Sequence, residues 1–432
     1  MVWKRAARLA LSALATGFFV LGCAPSYVIE RGDSIAAGGG GASVNGGGAS
    51  GLGLGGGDAS NIELTVQEWG TFTSMQGPDG VDLGGLHHED EALPSWVNRR
   101  NFNSQLDYYF EQLPSEPLQQ LETPVLYFYT AQPASVHVEV HFNQGIVGQW
   151  YPDATSFAPA LDDLTEMANG AMTWDVLADP TIDAATLQAV DPTEIWAPSR
   201  HVASTPIRGT ATGDAETEQF IFYRGLGMFE PPVKVLSEAD GTMHVQNASA
   251  DALPAVFVLR ASSTGGYVLT LGPLAAGGEL TLAPPDTSLY SATYVDTAGS
   301  ALHSALVDSG LKDDVAQAMV DTWTRSWFGN VGLRVLYVAP RAWADGWLPT
   351  TITPTPSSFT RSLVGRIEVI TPADEAALVA EIDANASSGT AMDPTSLGRF
   401  AEPRIRYALG NLTAQASLDY ANALLAAAHA LP

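Results

Sequence analysis

Cysteine is almost absent from this chain: it occurs once in 432 residues, as Cys23. One thiol cannot close an internal disulfide, and it cannot form a zinc site that needs several cysteine ligands. If that thiol is acylated, as its surroundings predict below, the mature protein also has no thiolate nucleophile and no disulfide-linked partner. The stability of the folded protein must therefore come from packing.

Positive charge is also scarce. The chain has 20 Lys and Arg residues against 47 Asp and Glu residues, which gives a formal net charge of −27. The charge becomes −30 when a signal peptide containing Lys4, Arg5 and Arg8 is removed, since none of the 47 acidic residues lies in it. Such a surface repels nucleic acid and bare anionic lipid, so no nucleic-acid partner is expected.

Motifs of the common enzymes are missing as well. The sequence has no G-x-S-x-G nucleophile elbow and no phosphate-binding loop. Residues 51–56 match a dinucleotide-binding fingerprint formally, but no strand precedes them and no helix follows, so we discount the match. These absences argue against the common hydrolases and nucleotide enzymes. They do not exclude an enzyme whose active site has an unfamiliar arrangement of residues.

The amino terminus has the layout of a secretory signal. Three basic residues precede an almost uninterrupted apolar run at 9–21, which is too short for a membrane-spanning helix. The run ends in V-L-G-C and resembles a bacterial lipobox, so residues 1–22 are predicted to be a lipoprotein signal peptide and Cys23 the lipid attachment site. Several acyl chains on one residue anchor a protein stably to a membrane. Residues 24–26 lack the aspartate that retains some Gram-negative lipoproteins in the inner membrane, so the outer membrane of the cell envelope is favoured.

The mature chain is predicted to be mainly β, with an α+β C-terminal part. Residues 23–60 are rich in glycine and are typical of a flexible linker. The body is expected to contain a β-rich part at 61–235, a β-sandwich-like part at 236–290 and an α+β part at 291–432. These three parts are expected to form one continuous body.

Several elements can be placed from periodicity and capping. Four evenly spaced strands, at 242–247, 255–261, 267–271 and 279–282, favour a β-sandwich. A short helix is predicted at 106–113 and a last helix at 412–430. Thr371 followed by Pro372 and Asp374 is a typical helix start. An apolar stripe along one helix is formed by Leu311, Val315, Met319, Trp323 and Trp327.

A loop between two glycines and Pro94 carries the densest cluster of possible metal ligands. It contains His87, His88, Glu89 and Asp90. Histidine and carboxylate side chains are ligands of zinc and other divalent ions. No helical spacing such as HExxH is present, so an exposed acidic loop is the alternative interpretation.

A second candidate metal site lies on a predicted strand at 136–142. Alternation sends His137, Glu139 and His141 to one face and the intervening valines to the other. Two histidines and a glutamate are the ligands of many catalytic zinc sites. Three alternate residues span about 13 Å of extended strand, which is too far for all three to bind one ion. His137 with Glu139, or Glu139 with His141, could bind an ion together with a ligand from elsewhere in the chain. A solvated face over a valine core is the alternative.

Buried charges and aromatic side chains form the remaining candidates. Glu68 beside Trp69 is either an activated carboxylate or, as we favour, a structural partner of an arginine. Four arginines in or beside apolar strands need carboxylate partners or an anionic ligand, because an unpaired buried charge is costly: Arg334, Arg341, Arg361 and Arg366. An aromatic group either stacks on sugar rings or, as we favour, fills a core or seam: Trp327, Tyr337, Trp343 and Trp347.

Six sequence blocks occur in one order along residues 66–376. Together they resemble an uncharacterised family of secreted or lipid-anchored bacterial proteins, and the resemblance implies one continuous body but no activity, cofactor or catalytic residue. The blocks are EWGTFTS at 68–74, ETPVLYF at 122–128, WYP at 150–152, FYRG at 222–225, RVLYVAPRAW at 334–343 and VGRIE at 364–368.

The sequence thus favours a lipid-anchored cell-envelope protein that acts as a binding or structural module. Its partners would be the membrane, through the lipid, and other envelope proteins or glycans. A metal-dependent hydrolase with a divalent ion as cofactor is the first alternative, and a carbohydrate binder built on exposed tryptophans is the second. The hydrolase needs two of the candidate histidines and a carboxylate at the floor of a cleft, whereas a binding module leaves them scattered on the surface.

Overall fold

The computed structural model describes residues 63–86, 88, 92–100, 118–161, 169–211 and 216–431, except for the side chain of Thr287. All of these residues belong to one unit, Ala59–Pro432. The predicted signal peptide, Cys23, the glycine-rich linker and the helix expected at 106–113 lie outside the described residues. No helix in the described part is both long enough and apolar enough to cross a bilayer.

Strands occur along the described part as far as Val369, and the α-helices begin at Tyr294. The strands are β1 Thr65–Gln76, β2 Asn98–Arg99, β3 Gln119–Tyr129, β4 Ala134–Phe142, β5 Gly145–Tyr151, β6 Ser156–Ala158, β7 Gly170–Ala178, β8 Ile207–Gly209, β9 Thr217–Glu218, β10 Ile221–Gly227, β11 Val233–Ser237, β12 Met243–Asn247, β13 Leu253–Ser262, β14 Gly265–Leu274, β15 Glu279–Leu282, β16 Gly332–Val338, β17 Thr350–Thr353 and β18 Ser358–Val369. The helices are α1 Tyr294–Asp308, α2 Asp313–Trp323, α3 Arg341–Trp347, α4 Pro372–Ser388, α5 Ala401–Leu409 and α6 Gln415–His429.

A nine-stranded sheet with the order β14-β13-β16-β18-β1-β3-β10-β5-β2 forms the centre of the fold. β1 pairs with β18 in parallel and with β3 in antiparallel orientation. Residues 66–76 of β1 are all buried, which is typical of a strand covered on both faces. The six sequence blocks lie on β16, β18, β1, β3, β10 and β5, which are six consecutive neighbours in this sheet.

Two smaller sheets pack on one face of the central sheet. A six-stranded sheet contains β17, β4, β7, β8 and β9, with β6 paired to β7, and a three-stranded sheet contains β11, β12 and β15. Inward valines such as Val138 and Val245 join Phe72 of the central sheet in one core. This sandwich-like layering, with helices toward the C-terminus, confirms the predicted fold class. The four strands expected at 242–282 form, but β13 and β14 join the central sheet and β12 and β15 the small one.

Helices α1 and α2 cover the opposite face of the central sheet. The predicted stripe from Leu311 to Trp327 is buried in a second core, which also contains Trp69 and Phe222 of the sheet. α2 ends at Trp323, and a π turn follows at Thr324–Phe328. The rings of Trp323 and Trp327 stack 5.4 Å apart across this transition. The stripe was therefore placed correctly, although it continues past the end of the α-helix.

The last three helices pack together around their own small core. α4 begins at the predicted cap, where Thr371 accepts a hydrogen bond from the Asp374 backbone and Asp374 accepts one from the Thr371 backbone. Ile382, Ile405 and Leu424 are buried between the helices. α6 confirms the predicted last helix. Since α4 directly follows β18, this helical layer lies beside the end of the central sheet.

Candidate functional site

The structure describes only one of the four candidate ligands in the loop at 87–90. His88 is buried, with its Nε2 atom 3.8 Å from Oε2 of Glu402 on α5. His429 of α6 lies 3.1 Å from the same oxygen. His87, Glu89 and Asp90 lie outside the described residues. The metal hypothesis for this loop stays a prediction, and His88 joins the loop to the C-terminal helices.

The second candidate cluster lies on β4, where alternation places its three side chains as predicted. His137 pairs with Asp175 of β7 at 2.8 Å, and His141 pairs with Glu139 at 2.8 Å. These side chains are about 40% exposed, 43% for His137 and 41% for His141. Within the described ranges, no three His, Cys, Asp or Glu side chains are arranged to hold a metal ion. The β4 residues therefore lie on the surface and do not line the floor of a cleft.

The arginines of the apolar strands have the carboxylate partners that the sequence demands. Glu368 lies 2.7 Å from Arg334 and 2.7 Å from Arg366. Glu68 lies 2.7 Å from Arg361, and both side chains are fully buried. Arg341 pairs with Asp345 at the surface. These pairs confirm the structural interpretation of Glu68 and of the four arginines.

The aromatic group proposed for sugar stacking is part of the core. Trp343 and Trp347 of α3 pack against Phe229, with ring centroids 5.6 Å away in each case. Trp327 and Tyr337 are fully buried. Among the described residues, no tryptophan is an exposed large hydrophobic side chain. The interpretation as core or seam is confirmed.

One carboxyl group has a strongly raised pKa. Burial raises the pKa of Asp82 to about 6, although a hydrogen bond from Gln76 and the charge of Lys234 act in the opposite direction. A raised carboxyl pKa often marks a catalytic acid. Here the Gln76 Nε2 atom donates to Asp82 at 3.1 Å, where residues 76 and 82 form a β-bridge. A structural role explains this contact.

The Asp82 carboxyl gives a pH-dependent prediction. Its pKa is higher in the folded than in the unfolded chain, so stability falls as the pH rises from about 4 to about 6. Asp82→Asn keeps the acceptor for Gln76 and should raise the unfolding free energy by about 2 kcal/mol at about pH 7.5. Urea unfolding at about pH 4 should show almost no difference. An equal gain at both pH values would contradict the assignment.

A cleft of about 290 Å³ lies between the ends of three strands of the central sheet and the C-terminal helices. The ends of β13, β16 and β18 form one wall, and α4 and α5 form the other. Its apolar lining includes Leu333, Leu378 and Leu397. Arg260, Arg404 and three carboxylates of α4 add charge. An apolar cavity with a few charged groups is the usual form of a small ligand site.

Two contacts hold the walls of this cleft in place. Gly332 has a φ of +146°, and a Cβ there would lie 3.1 Å from Arg334 and 3.3 Å from Glu368. The buried arginine–glutamate pair therefore backs the wall formed by β16. On the other side, Arg399 pairs with Glu122 of β3 just before α5 begins. This ion pair fixes the start of α5 against the sheet.

Arg404 is the unusual charged group of the cleft. It lies on α5, and its Nε atom is buried with no hydrogen-bond partner among the described residues. A buried donor without a partner costs about 1–3 kcal/mol. Two of the three nearby carboxylates have other contacts: Asp374 caps α4, and Glu375 accepts from Asn411. Arg260 lies 3.9 Å from Asp374, and both are partly exposed, so that pair is weak.

A second groove, between α1 and α2, is larger but chemically different. Its volume is about 410 Å³, and its lining is mostly small or polar, including Ser300, Ser304 and Gln317. It has no apolar floor of the kind that β16 and α4 provide. The cleft at Arg404 is therefore the better candidate site. Arg404 gives no signal in the sequence, because an arginine on an amphipathic helix looks like an ordinary surface residue.

Comparison with known proteins gives no family assignment. No protein-family model and no curated protein sequence matches the chain. Among solved structures, the chain is similar to the Fcho1 mu homology domain of Danio rerio with bound Eps15 peptide, at 8% identity and a TM-score of 0.27, covering 72% of this chain and 97% of that one. It is also similar to the yeast delta-COP-I mu-homology domain, at 9% identity and a TM-score of 0.26, covering 72% of this chain and 98% of that one.

That yeast domain also has a structure in complex with a Dsl1 WxWxV peptide. The chain matches it at 8% identity with a TM-score of 0.24, covering 71% of this chain and 96% of that one. Such low TM-scores do not define a shared family. The cleft of this chain is therefore the basis for a functional proposal.

Proposed function

We propose that this protein is a lipid-anchored module of the cell envelope that binds a ligand in the cleft between the central sheet and α4 and α5. The observation that carries the proposal is the cleft of about 290 Å³, which combines an apolar lining with the charged side chains of Arg260, Arg404 and α4.

The location in the envelope is supported by the sequence around Cys23. The apolar run and the V-L-G-C motif favour cleavage before Cys23 and acylation of its thiol. The glycine-rich segment at 23–60 would then hold the folded body away from the membrane surface. An outer-membrane position is favoured by residues 24–26, which lack a retaining aspartate.

Binding is favoured over catalysis by the way the charged side chains of the cleft are used. Asp374 serves as a helix-capping group and Glu375 as an acceptor for Asn411. The histidines of β4 pair with Asp175 and Glu139 on an exposed face. The contacts of Asp374 and Glu375 occupy two of the three carboxylates of the cleft, and no histidine is among its lining residues.

The anchor is tested by mass spectrometry of the mature amino terminus. Wild-type protein from bacterial membranes should begin at Cys23 and carry acyl chains, and it should enter the membrane fraction. Cys23→Ala should lose the acyl mass and leave that fraction, because one apolar signal core does not replace a set of acyl chains. An unacylated wild-type Cys23, or a Cys23→Ala protein that stays in membranes, would contradict this part of the proposal.

The cleft is tested with a blocking variant and its neighbour. Ala377 lines the cleft, whereas the exposed Ala376 on the same helix does not. Full mature protein in detergent is screened by thermal shift against short peptides and small apolar carboxylates. Compounds that raise the melting temperature of the wild type should also do so for Ala376→Trp, but not for Ala377→Trp. The cleft is not the binding site if no compound stabilises the wild type or if Ala377→Trp responds equally.

A further inference from the structure

We propose that β14, at one edge of the central sheet, pairs with β14 of a second copy of this chain, in antiparallel orientation around a two-fold axis at Leu269. This pairing joins two nine-stranded sheets into one continuous sheet. Two-fold dimers are the commonest oligomers, and each such interface pairs a surface with itself. The inference goes beyond the cleft, since no residue of β14 is among the residues that line it.

The backbone of β14 supplies the first argument. β14 is the last strand in the order of the central sheet, and its inner edge pairs with β13. On the outer edge, Gly266 exchanges two backbone hydrogen bonds with Ser291, so the N–H and C=O groups of Gly266 point away from β13. Backbone groups alternate between the two edges of a strand, so those of Val268 and Thr270 also point outward. No described strand pairs with them there.

The two ends of this open edge set the register of the pairing. Ser291 covers the edge at Gly266. At the other end the ladder with β13 shifts at residue 271, and Gly272 follows with a φ of +68°. The open segment is therefore 267–271, and its centre is Leu269. A two-fold axis at this residue places Val268 of each copy opposite Thr270 of the other, where the outward groups exchange hydrogen bonds.

The side chains beside the open edge are apolar. Leu269 and Leu271 are half-buried and pack on the core between the sheets. Tyr290 contacts the ring of Tyr267, with centroids 5.3 Å apart. Tyr290 is 37% exposed and its neighbour Leu289 is 46% exposed. Antiparallel pairing brings the Tyr267 end of one copy beside the Leu271 end of the other, so it covers exposed apolar surface on both copies.

The distribution of charge favours a second copy as the occupant of this edge. The formal net charge of the chain is −27, so two copies repel each other where their acidic surfaces meet. Residues 261–278, which contain β14 and the turns on both sides of it, carry no charged side chain. Natural proteins often place charged residues on an edge strand that must stay unpaired. An edge without them suits its own copy, whereas a foreign basic strand would be attracted by carboxylates along the edge.

Cysteine cross-linking tests the pairing and its register. Leu269→Cys is made in the full mature protein and oxidised with copper phenanthroline in bacterial membranes. In an antiparallel ladder the Cα atoms of a non-hydrogen-bonded pair lie about 4.5 Å apart, which a disulfide can span. Most of the Leu269→Cys protein should run as a reducible dimer on a non-reducing gel. The wild type, in which Cys23 is the only cysteine, should run as a monomer.

Three further variants separate this pairing from chance contact. Thr270→Cys is more exposed than Leu269→Cys, but residue 270 lies opposite Val268 of the other copy, so it should form about tenfold less dimer. Adding Thr270→Pro to Leu269→Cys removes an outward N–H group that β13 does not use, which an edge strand tolerates, and should abolish the dimer. Adding Thr270→Glu instead leaves the backbone unchanged but brings two like charges together, and most of the dimer should again be lost.

Any of four results would overturn the inference. The first is a Leu269→Cys protein that stays monomeric, and the second is equal dimer formation by Leu269→Cys and Thr270→Cys. The third is a dimer that survives both Thr270→Pro and Thr270→Glu. The fourth is an adduct of Leu269→Cys whose mass differs from that of a dimer, which would show that a different protein occupies the edge.

Discussion

Glu68→Gln is expected to lower the free energy of unfolding by about 3–5 kcal/mol. Glu68 on β1 pairs with Arg361 on β18 at 2.7 Å, and neither side chain is exposed. Tyr223 of β10 also donates to Glu68. Burial lowers the pKa of Arg361, but Glu68 and Tyr223 outweigh this and raise it overall. Glutamine keeps the size of the side chain but removes the fully buried charge beside the guanidinium, and leaves only the pair with Asp345, whose side chain is 42% exposed.

The measurement is urea unfolding of the variant, with two comparisons. Arg341→Met breaks the exposed pair with Asp345 in the same region and should cost less than about 1 kcal/mol. The double variant Glu68→Gln with Arg361→Met removes both charges, keeps an acceptor for the Tyr223 hydroxyl and should recover much of the loss of Glu68→Gln, because a buried ion pair is replaceable by uncharged packing. A Glu68→Gln variant as stable as Arg341→Met would show that the pair has little structural role.

Glu368→Gln is expected to cost about 3 kcal/mol at neutral pH. Glu368 on β18 contacts both Arg334 and Arg366 in the buried layer behind the cleft. Burial raises the pKa of Glu368, but the two arginines together outweigh burial and lower it to about 2. The folded pKa lies below the unfolded value of 4.5. The stabilisation is therefore complete above about pH 4.5 and is lost as the pH falls toward 2.

Unfolding at two pH values tests this assignment. The difference between wild type and Glu368→Gln should be largest near pH 7 and should shrink at about pH 3.5, where the unfolded wild type is mostly protonated. Glu279→Gln is the matched control: the pKa of Glu279 is also lowered, through His244 and Gln246, but the side chain lies at the surface. It should leave stability nearly unchanged. A Glu368→Gln deficit independent of pH would contradict the assigned electrostatics.

Local elements were predictable where periodicity was strong. β4, β12 and β16 follow apolar patterns that the sequence shows directly, and α4 begins at its predicted capping box. Strand pairing was not predictable in the same way. β1 pairs with β18, where Glu68 lies opposite Arg361, 293 residues away in sequence. No local pattern encodes such a partner, although each buried charge signalled that one must exist.

The candidate site was less predictable than the fold. Arg334 and Arg366 attracted attention because they interrupt apolar strands, and both proved to be structural. Arg404 did not, since its helical neighbours give it an ordinary amphipathic setting. Its importance depends on β16, α4 and α5 meeting in space, which only the structure shows. For β4, the alternating pattern predicted which side chains share the exposed face. It could not predict that His137 pairs with Asp175, because Asp175 lies on the neighbouring strand β7.

Hydrogen exchange on the full mature protein tests the central claim most directly. Amide exchange is measured by mass spectrometry with and without a compound that raises the melting temperature in the thermal-shift screen. We expect slower exchange at 374–381 of α4, at 404–408 of α5 and at the start of β16, with β4 unchanged. Protection confined to β4 or to the α1–α2 groove, with none at Arg404, would contradict binding in the cleft.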